Sequence, residues 1–172
     1  LVTGPGKTVG NAVIGDELVD AVSFTGSSAV GHKVYEPATD DGKRVQTEMG
    51  GKNPTIVADS ADIEEAADIC ANGAFGVTGQ ACTAGSRAIV YEEVYDEFVA
   101  AVADRAAAIE VGPGDEYRMG PQVSESELRS TLEYIDVATE QGATLAAGGE
   151  ALDGGRLGDG YFVEPTLFSD VA

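Results

Sequence analysis

The chain has 172 residues, 43% of them hydrophobic, which is enough for one ordinary core or parts of two and unlike a fibrous or disordered composition. Thirty acidic residues against ten basic ones give a formal charge of −20, spread along the chain; this argues against nucleic acid, which needs clustered cations, and reads as a solvated, salt-adapted surface, with an acidic patch for a basic partner as the competing reading. No apolar run approaches the roughly 20 residues of a membrane span and no opening segment reads as a signal peptide, so the expectation is a cytoplasmic protein without a membrane or nucleic acid partner.

Thr8 to Ile14 is helix-compatible, after which Ala21 to Thr25 reads as a buried strand leading into the small-residue turn Gly26-Ser27-Ser28. A second helix is predicted from Ser28 to about Glu36. Arg44 to Glu48 is strand-like, Gly50-Gly51 turns, and Pro54 to Ala58 is another strand. From Asp62 a helix is announced by Ser60 as its cap and by acidic residues in its first turn, with Ile63, Ala66, Ala67, Cys70 and Ala74 at helical spacing on one face. A Gly-rich break spans Gly76 to Gly85. A strand at Ala88 to Tyr91 and helices from Tyr95 to Ile109 and from Glu125 to Gln141 follow, then a short strand near Thr144 to Ala146, a turn at Gly148-Gly149 and an extended Tyr161 to Phe168. Strand and helix alternate, which favours an α/β fold. Starting at Leu1 without Met and stopping just after a strand-like segment, the sequence reads as an internal stretch of a longer one.

Four local signals bear on chemistry. Gly6-Lys7-Thr8 copies the end of a phosphate-cradling loop, but the glycine that pattern needs five residues earlier is Leu1, so triphosphate hydrolysis is disfavoured. Phe24-Thr25-Gly26-Ser27 brings glycine and hydroxyl residues to a helix N-terminus, which suits a pyrophosphate and equally suits any tight strand-to-helix turn. Of the two cysteines, Cys70 lies on the helical stripe as a core thiol, whereas Cys82 sits in the polar break Gly79-Gln80-Ala81-Cys82-Thr83-Ala84, where backbone N–H groups favour a reactive thiolate. Two cysteines are too few for a disulfide framework or a structural zinc, and no metal site is expected. His32 reads as a surface residue. A hydrolytic step at Cys82 would need another base, and Glu48, at a strand end before Gly50-Gly51, is the candidate if partial burial raises its carboxyl; an ordinary strand-end carboxylate is the competing reading.

Phe24-Thr25-Gly26-Ser27, Glu48-Met49-Gly50-Gly51-Lys52-Asn53-Pro54 and Gly79-Gln80-Ala81-Cys82 together resemble the aldehyde dehydrogenase superfamily in order and spacing. Gly120-Pro121-Gln122-Val123 and Gly160-Tyr161-Phe162-Val163-Glu164-Pro165-Thr166 extend the resemblance to the C-terminal end. It implies parts of two Rossmann-like α/β domains: residues 1–49 from the dinucleotide-binding domain and residues 50–172 from the catalytic domain. It further implies NAD or NADP as cofactor, a small-molecule aldehyde as substrate and a homo-oligomer.

By the same resemblance, Cys82 attacks the aldehyde, a hydride leaves for the nicotinamide, and Glu48 activates the water that hydrolyses the thioester, with the Cys82 N–H helping to hold the oxyanion. Gly6, Thr25, Gly26, Ser27, Val30 and Met49 are implied as cofactor-lining positions. Met49, Ser28 and His32 depart from the family's usual leucine, threonine and arginine, and none of these is a reacting group. The family's oxyanion asparagine, its ribose-gripping residues and its oligomerising strand fall outside the sequence, so the chain alone is expected to be inactive. Val45 to Pro54, with Gly73-Ala74-Phe75 and Thr83-Ala84, looks most like the branch acting on 2-oxoglutarate semialdehyde, with succinate semialdehyde or an aliphatic aldehyde open beside it. A catalytically inactive, nucleotide-binding or structural relative is the alternative from another class, and retention of both Cys82 and Glu48 speaks against it.

Overall fold

The computed structural model describes residues 1–171. The chain divides into two units, Leu1 to Gly51 and Lys52 onward. In the first, helix α1 (Gly6–Ile14) precedes a strand–helix–strand unit of β1 (Ala21–Gly26), α2 (Ser28–Asp40) and β2 (Arg44–Met49). The two strands pair in parallel, with Thr25 beside Glu48 and Gly26 beside Met49. Parallel pairing demands a crossover, and α2 supplies it. Val22, Phe24 and Val45, alternate residues of the strands, pack against Ile14, Val34 and Ala38 from the helices.

Two local features hold this unit together. The Lys43 ammonium, its side chain buried, donates to the carbonyls of Ile14 and Asp16, satisfying groups left open where α1 ends and placing a cation at the negative end of its dipole. Helix α2 runs past the expected Glu36 and through Pro37 to Asp40. Packing outweighs the lost Pro37 donor: Ala38 is fully buried in the core, and the Thr39 hydroxyl donates back to the carbonyls of Tyr35 and Glu36.

The second unit begins with β3 (Asn53–Val57), α3 (Ile63–Phe75) and β4 (Gly85–Val90), again a parallel pair joined by a helix. Asp62, not Ser60, caps α3, its carboxylate accepting the Glu65 N–H at 3.0 Å. Helix α4 (Tyr95–Ala107) lies against α3, where Ala67 and Ala71 are small enough to let it approach. Val57, Ile63, Phe98, Ala101 and Val102 fill the space on one side of that contact; Phe75, Ala106, Met119 and Val163 fill the other. Arg105 of α4 binds the Asp68 and Glu64 carboxylates of α3, which hold its guanidinium even more firmly charged than usual.

Helix α5 (Glu125–Glu140), capped by Ser124, lays Leu128, Leu132 and Ile135 on the second of these clusters. Two short antiparallel pairs finish the unit: β5 (Thr144–Ala147) with β8 (Leu167–Ser169), and β6 (Ala151–Leu152) with β7 (Phe162–Val163). The expected single extended segment from Tyr161 to Phe168 is thus divided, with Pro165, which has no N–H for a ladder, in the gap. Gly148 is required there: its φ is +67°, and a Cβ would meet the Pro165 carbonyl oxygen at 2.3 Å.

The described residues form ion pairs at Lys43, Arg105 and Arg129 only, so most of the thirty acidic side chains face solvent without a cation. Salt shortens the screening distance from about 10 Å at 0.1 M to about 3 Å at 1 M. The thermal midpoint, followed by circular dichroism, is therefore expected to rise over that range of KCl. A flat or falling midpoint would show that acidic self-repulsion does not limit stability.

Candidate active site

In the first unit, the register of β1 and β2 gathers most of the candidate cofactor positions at the C-terminal edge of the strands. Thr25 and Gly26 lie beside Glu48 and Met49, and Ser27 follows at the N-cap of α2. Ligands of α/β proteins bind at this end of the strands, because the helices begin there with unpaired N–H groups. The Ser27 hydroxyl accepts only the Val30 N–H, at 3.3 Å, leaving the Ser28 and Ala29 donors of the first turn free to meet an anion. Val30 is itself 45% exposed on that turn.

A Cβ at Gly26 would meet the Phe24 ring at 2.6 Å and one at Gly31 would meet the Met49 sulfur at 2.5 Å, so a larger residue at either position requires that side chain to shift. Gly6 opens α1, is exposed, and faces open space where a Cβ would point. Glu48 is exposed rather than partly buried, because it falls on the outward-facing set of β2 residues while Val45, Thr47 and Met49 face inward. Its carboxylate accepts a hydrogen bond from Gln46 Nε2 at 3.2 Å. His32 is an exposed residue of α2.

In the second unit, Cys82 lies beyond the end of α3. The chain leaves that helix through a single tight turn, Gly76–Gly79, and then makes a second turn closed by the Ala84 N–H donating to the Ala81 carbonyl at 3.0 Å. Cys82 occupies the second position of this turn with its thiol free and exposed. Its N–H takes no part in the hydrogen bonds that hold the turn, so it is available to a ligand oxygen. Cys70 differs in each respect: it sits half-buried on α3 against the core, and burial pushes its thiol up, towards the protonated, unreactive form.

Sequence reasoning assigned no role to three polar residues that touch this turn or its approach. Asn53 Nδ2, from the start of β3, donates to the carbonyls of Cys82 at 2.8 Å and Ala84 at 3.1 Å. The Thr78 hydroxyl accepts the Gly120 N–H, and the Gln80 carboxamide contacts the backbone of Pro121 and Val123. All three lie in or beside the motifs that carry the family resemblance, and the one available signal was a cluster of hydrogen-bonding side chains around Gly79.

Two surface hollows, one lined by Asp68, Arg105 and Arg118 and the other by Glu17, Asp20 and Lys43, contain none of the candidate residues. Cys82 and Glu48 stand on open surface. Among the described residues no group of three His, Cys, Asp or Glu side chains is set to hold a metal ion, and no helix is long and apolar enough to cross a membrane.

The profile of the aldehyde dehydrogenase family matches residues 1–172. Alpha-ketoglutarate semialdehyde dehydrogenase of Haloferax volcanii is 67% identical over 171 residues, a match covering 99% of this chain and 36% of that protein. Alpha-ketoglutaric semialdehyde dehydrogenase of Bacillus subtilis is 44% identical over 173 residues, with the same coverage of 99% and 36%. Among solved structures, betaine aldehyde dehydrogenase of Staphylococcus aureus in complex with NAD+ superposes with a TM-score of 0.94 at 38% identity, over 100% of this chain and 34% of that one. The chain thus spans about a third of the length of each of these relatives.

Proposed function

The chain belongs to the aldehyde dehydrogenase family, and from that premise we propose that the enzyme carrying it oxidises an aldehyde to a carboxylic acid with NAD or NADP. 2-Oxoglutarate semialdehyde is the proposed substrate, supported by the names of the relatives at 67% and 44% identity. The observation that carries the reading is the contrast between the two thiols: Cys82 is free and exposed on an anchored turn, and Cys70 is half-buried in the core.

Residues 1–49 are read as part of the dinucleotide-binding domain and residues 50–172 as part of the catalytic domain. The edge formed by Thr25, Gly26 and Ser27 fits a dinucleotide, since exposed N–H donors at the start of a thirteen-residue helix suit its pyrophosphate. Val30 and Met49 would line the same ligand, Met49 through its backbone, and Gly6 would offer a backbone surface free of side chain. When bound, the nicotinamide would supply the hydride acceptor.

Cys82, as its thiolate, would add through Sγ to the aldehyde carbon, the carbonyl electron pair moving onto oxygen to give a thiohemiacetal oxyanion that the Cys82 N–H could stabilise. Loss of hydride from that carbon leaves a thioester on Sγ. Glu48 would take a proton from water as the water attacks the thioester, and the acid departs as the Cys82 thiolate is regenerated. An exposed Glu48 has its oxygens open to solvent, as a group that activates water requires. We further propose a cytoplasmic homo-oligomer as the setting.

The reading is tested with the full-length enzyme by following nicotinamide reduction with a panel of aldehydes in high salt. The kcat/KM for 2-oxoglutarate semialdehyde is expected to exceed that for a simple aliphatic aldehyde by about a hundredfold or more, as for a site built around a substrate's polar group. Equal rates would overturn the substrate, and no reduction with any aldehyde would overturn the activity.

A further inference from the structure

The path into the Cys82 turn is one that its residues do not choose for themselves. Val77, Thr78 and Gly79 follow one another at φ of 52°, 57° and 68°, all in the left-handed region. Glycine adopts it freely, whereas β-branched residues almost never do, so two in succession must be held from outside. Thr78, 8% exposed, accepts the Gly120 N–H on Oγ1 at 3.1 Å. Gln80 goes further. Its Oε1 accepts the Val123 N–H at 3.0 Å, and its Nε2 donates to the Pro121 carbonyl at 3.5 Å.

The two Gln80 bonds bracket Gln122 as a residue of a neighbouring parallel strand would, taking the carbonyl before it and the N–H after it. The side chain therefore acts as a one-residue strand. What it grips is itself fixed: Gln122 is 8% exposed and donates its N–H to the Tyr161 carbonyl at 2.7 Å. On the far side of Cys82, Asn53 holds the carbonyls of Cys82 and Ala84. The turn is thus secured two residues before the thiol by Gln80, and at and just after it by Asn53.

We infer that Gln80 is a positioning residue for Cys82, its carboxamide locking the turn onto the Gly120 to Val123 strip and so fixing where the sulfur stands. This rests on Cys82 being the nucleophile proposed above. Addition to a carbonyl needs the reacting atoms about 3 to 3.5 Å apart and aligned, and a displacement of about 1 Å can cost about a hundredfold in rate. Because the Gln80 side chain is spent on backbone groups, it does its work through geometry.

The test uses the full-length enzyme with saturating cofactor, measuring the first-turnover burst of reduced nicotinamide, the KM for the aldehyde and the melting temperature. Gln80→Ala is expected to slow the burst about ten- to a hundredfold with KM little changed. Gln80→Glu keeps the length and the acceptor for the Val123 N–H, and its burst should fall between those of Gln80→Ala and wild type. An unchanged burst in Gln80→Ala, whatever its melting temperature, overturns the inference. Should that variant not fold, Gln80→Glu decides: a slowed burst at normal KM supports positioning and a normal burst overturns it. Cys82→Ala run in parallel separates the two readings. If it keeps its burst, both fall; if it loses the burst while Gln80→Ala keeps one, only the positioning role falls.

Discussion

Replacing Cys82 with alanine in the full-length enzyme is expected to lower aldehyde-dependent nicotinamide reduction by at least about a thousandfold, because no thiohemiacetal can form without the sulfur. The loss can be assigned to chemistry because the fold has little stake in the side chain. Cys82 is exposed, and the Asn53 bonds that hold it reach backbone carbonyls that alanine retains. The melting temperature should accordingly stay close to that of the wild type, since surface changes of this kind usually stay within about 0.5 kcal/mol. Turnover and melting are measured on the same preparation. Undiminished turnover would end the covalent proposal.

Glu48→Gln should separate the two halves of the reaction. If Glu48 serves deacylation, the burst of reduced cofactor survives while steady turnover falls about a hundredfold or more, the usual range for a lost general base. Glutamine is nearly isosteric, and its side-chain oxygen can still accept from Gln46, so β2 should keep its register with β1. Stopped-flow absorbance gives both phases in one trace. Equal loss of burst and steady rate would move Glu48 to an earlier step or to a structural role. A steady rate equal to wild type would remove it from the mechanism.

The regular elements were legible because their signals are local. Helical spacing of Ile63, Ala67 and Cys70 announced α3, and the turn at Gly26 to Ser28 announced the step from β1 to α2. The misreadings arose where a distant partner decides. Nothing near Pro37 tells that Ala38 will be buried against Ile14 and Val34, and hence that α2 continues past the proline. Ser60 and Asp62 are both good caps, and only the geometry of the first turn selects Asp62. In the site, Cys82 and Glu48 stood out as positions, but the exposure of Glu48 followed from the strand's alternation with Val45, Thr47 and Met49 facing inward. The left-handed run through Val77 and Thr78 was invisible, since local preference argues against it and the bond between Thr78 and Gly120 spans 42 residues.

The unequal exposure of Cys70 and Cys82 also gives the two thiols unequal access to chemical labels. A maleimide or other bulky thiol reagent meets Cys82 in the open, while Cys70, on α3, is half-buried against the core, and that burial pushes its thiol up, away from the reactive thiolate. Of these two thiols, a fluorophore or spin label would therefore be directed to the one on the turn without first removing Cys70. Such a tag would sit on the segment gripped by Asn53 and Gln80, reporting on its order as conditions change.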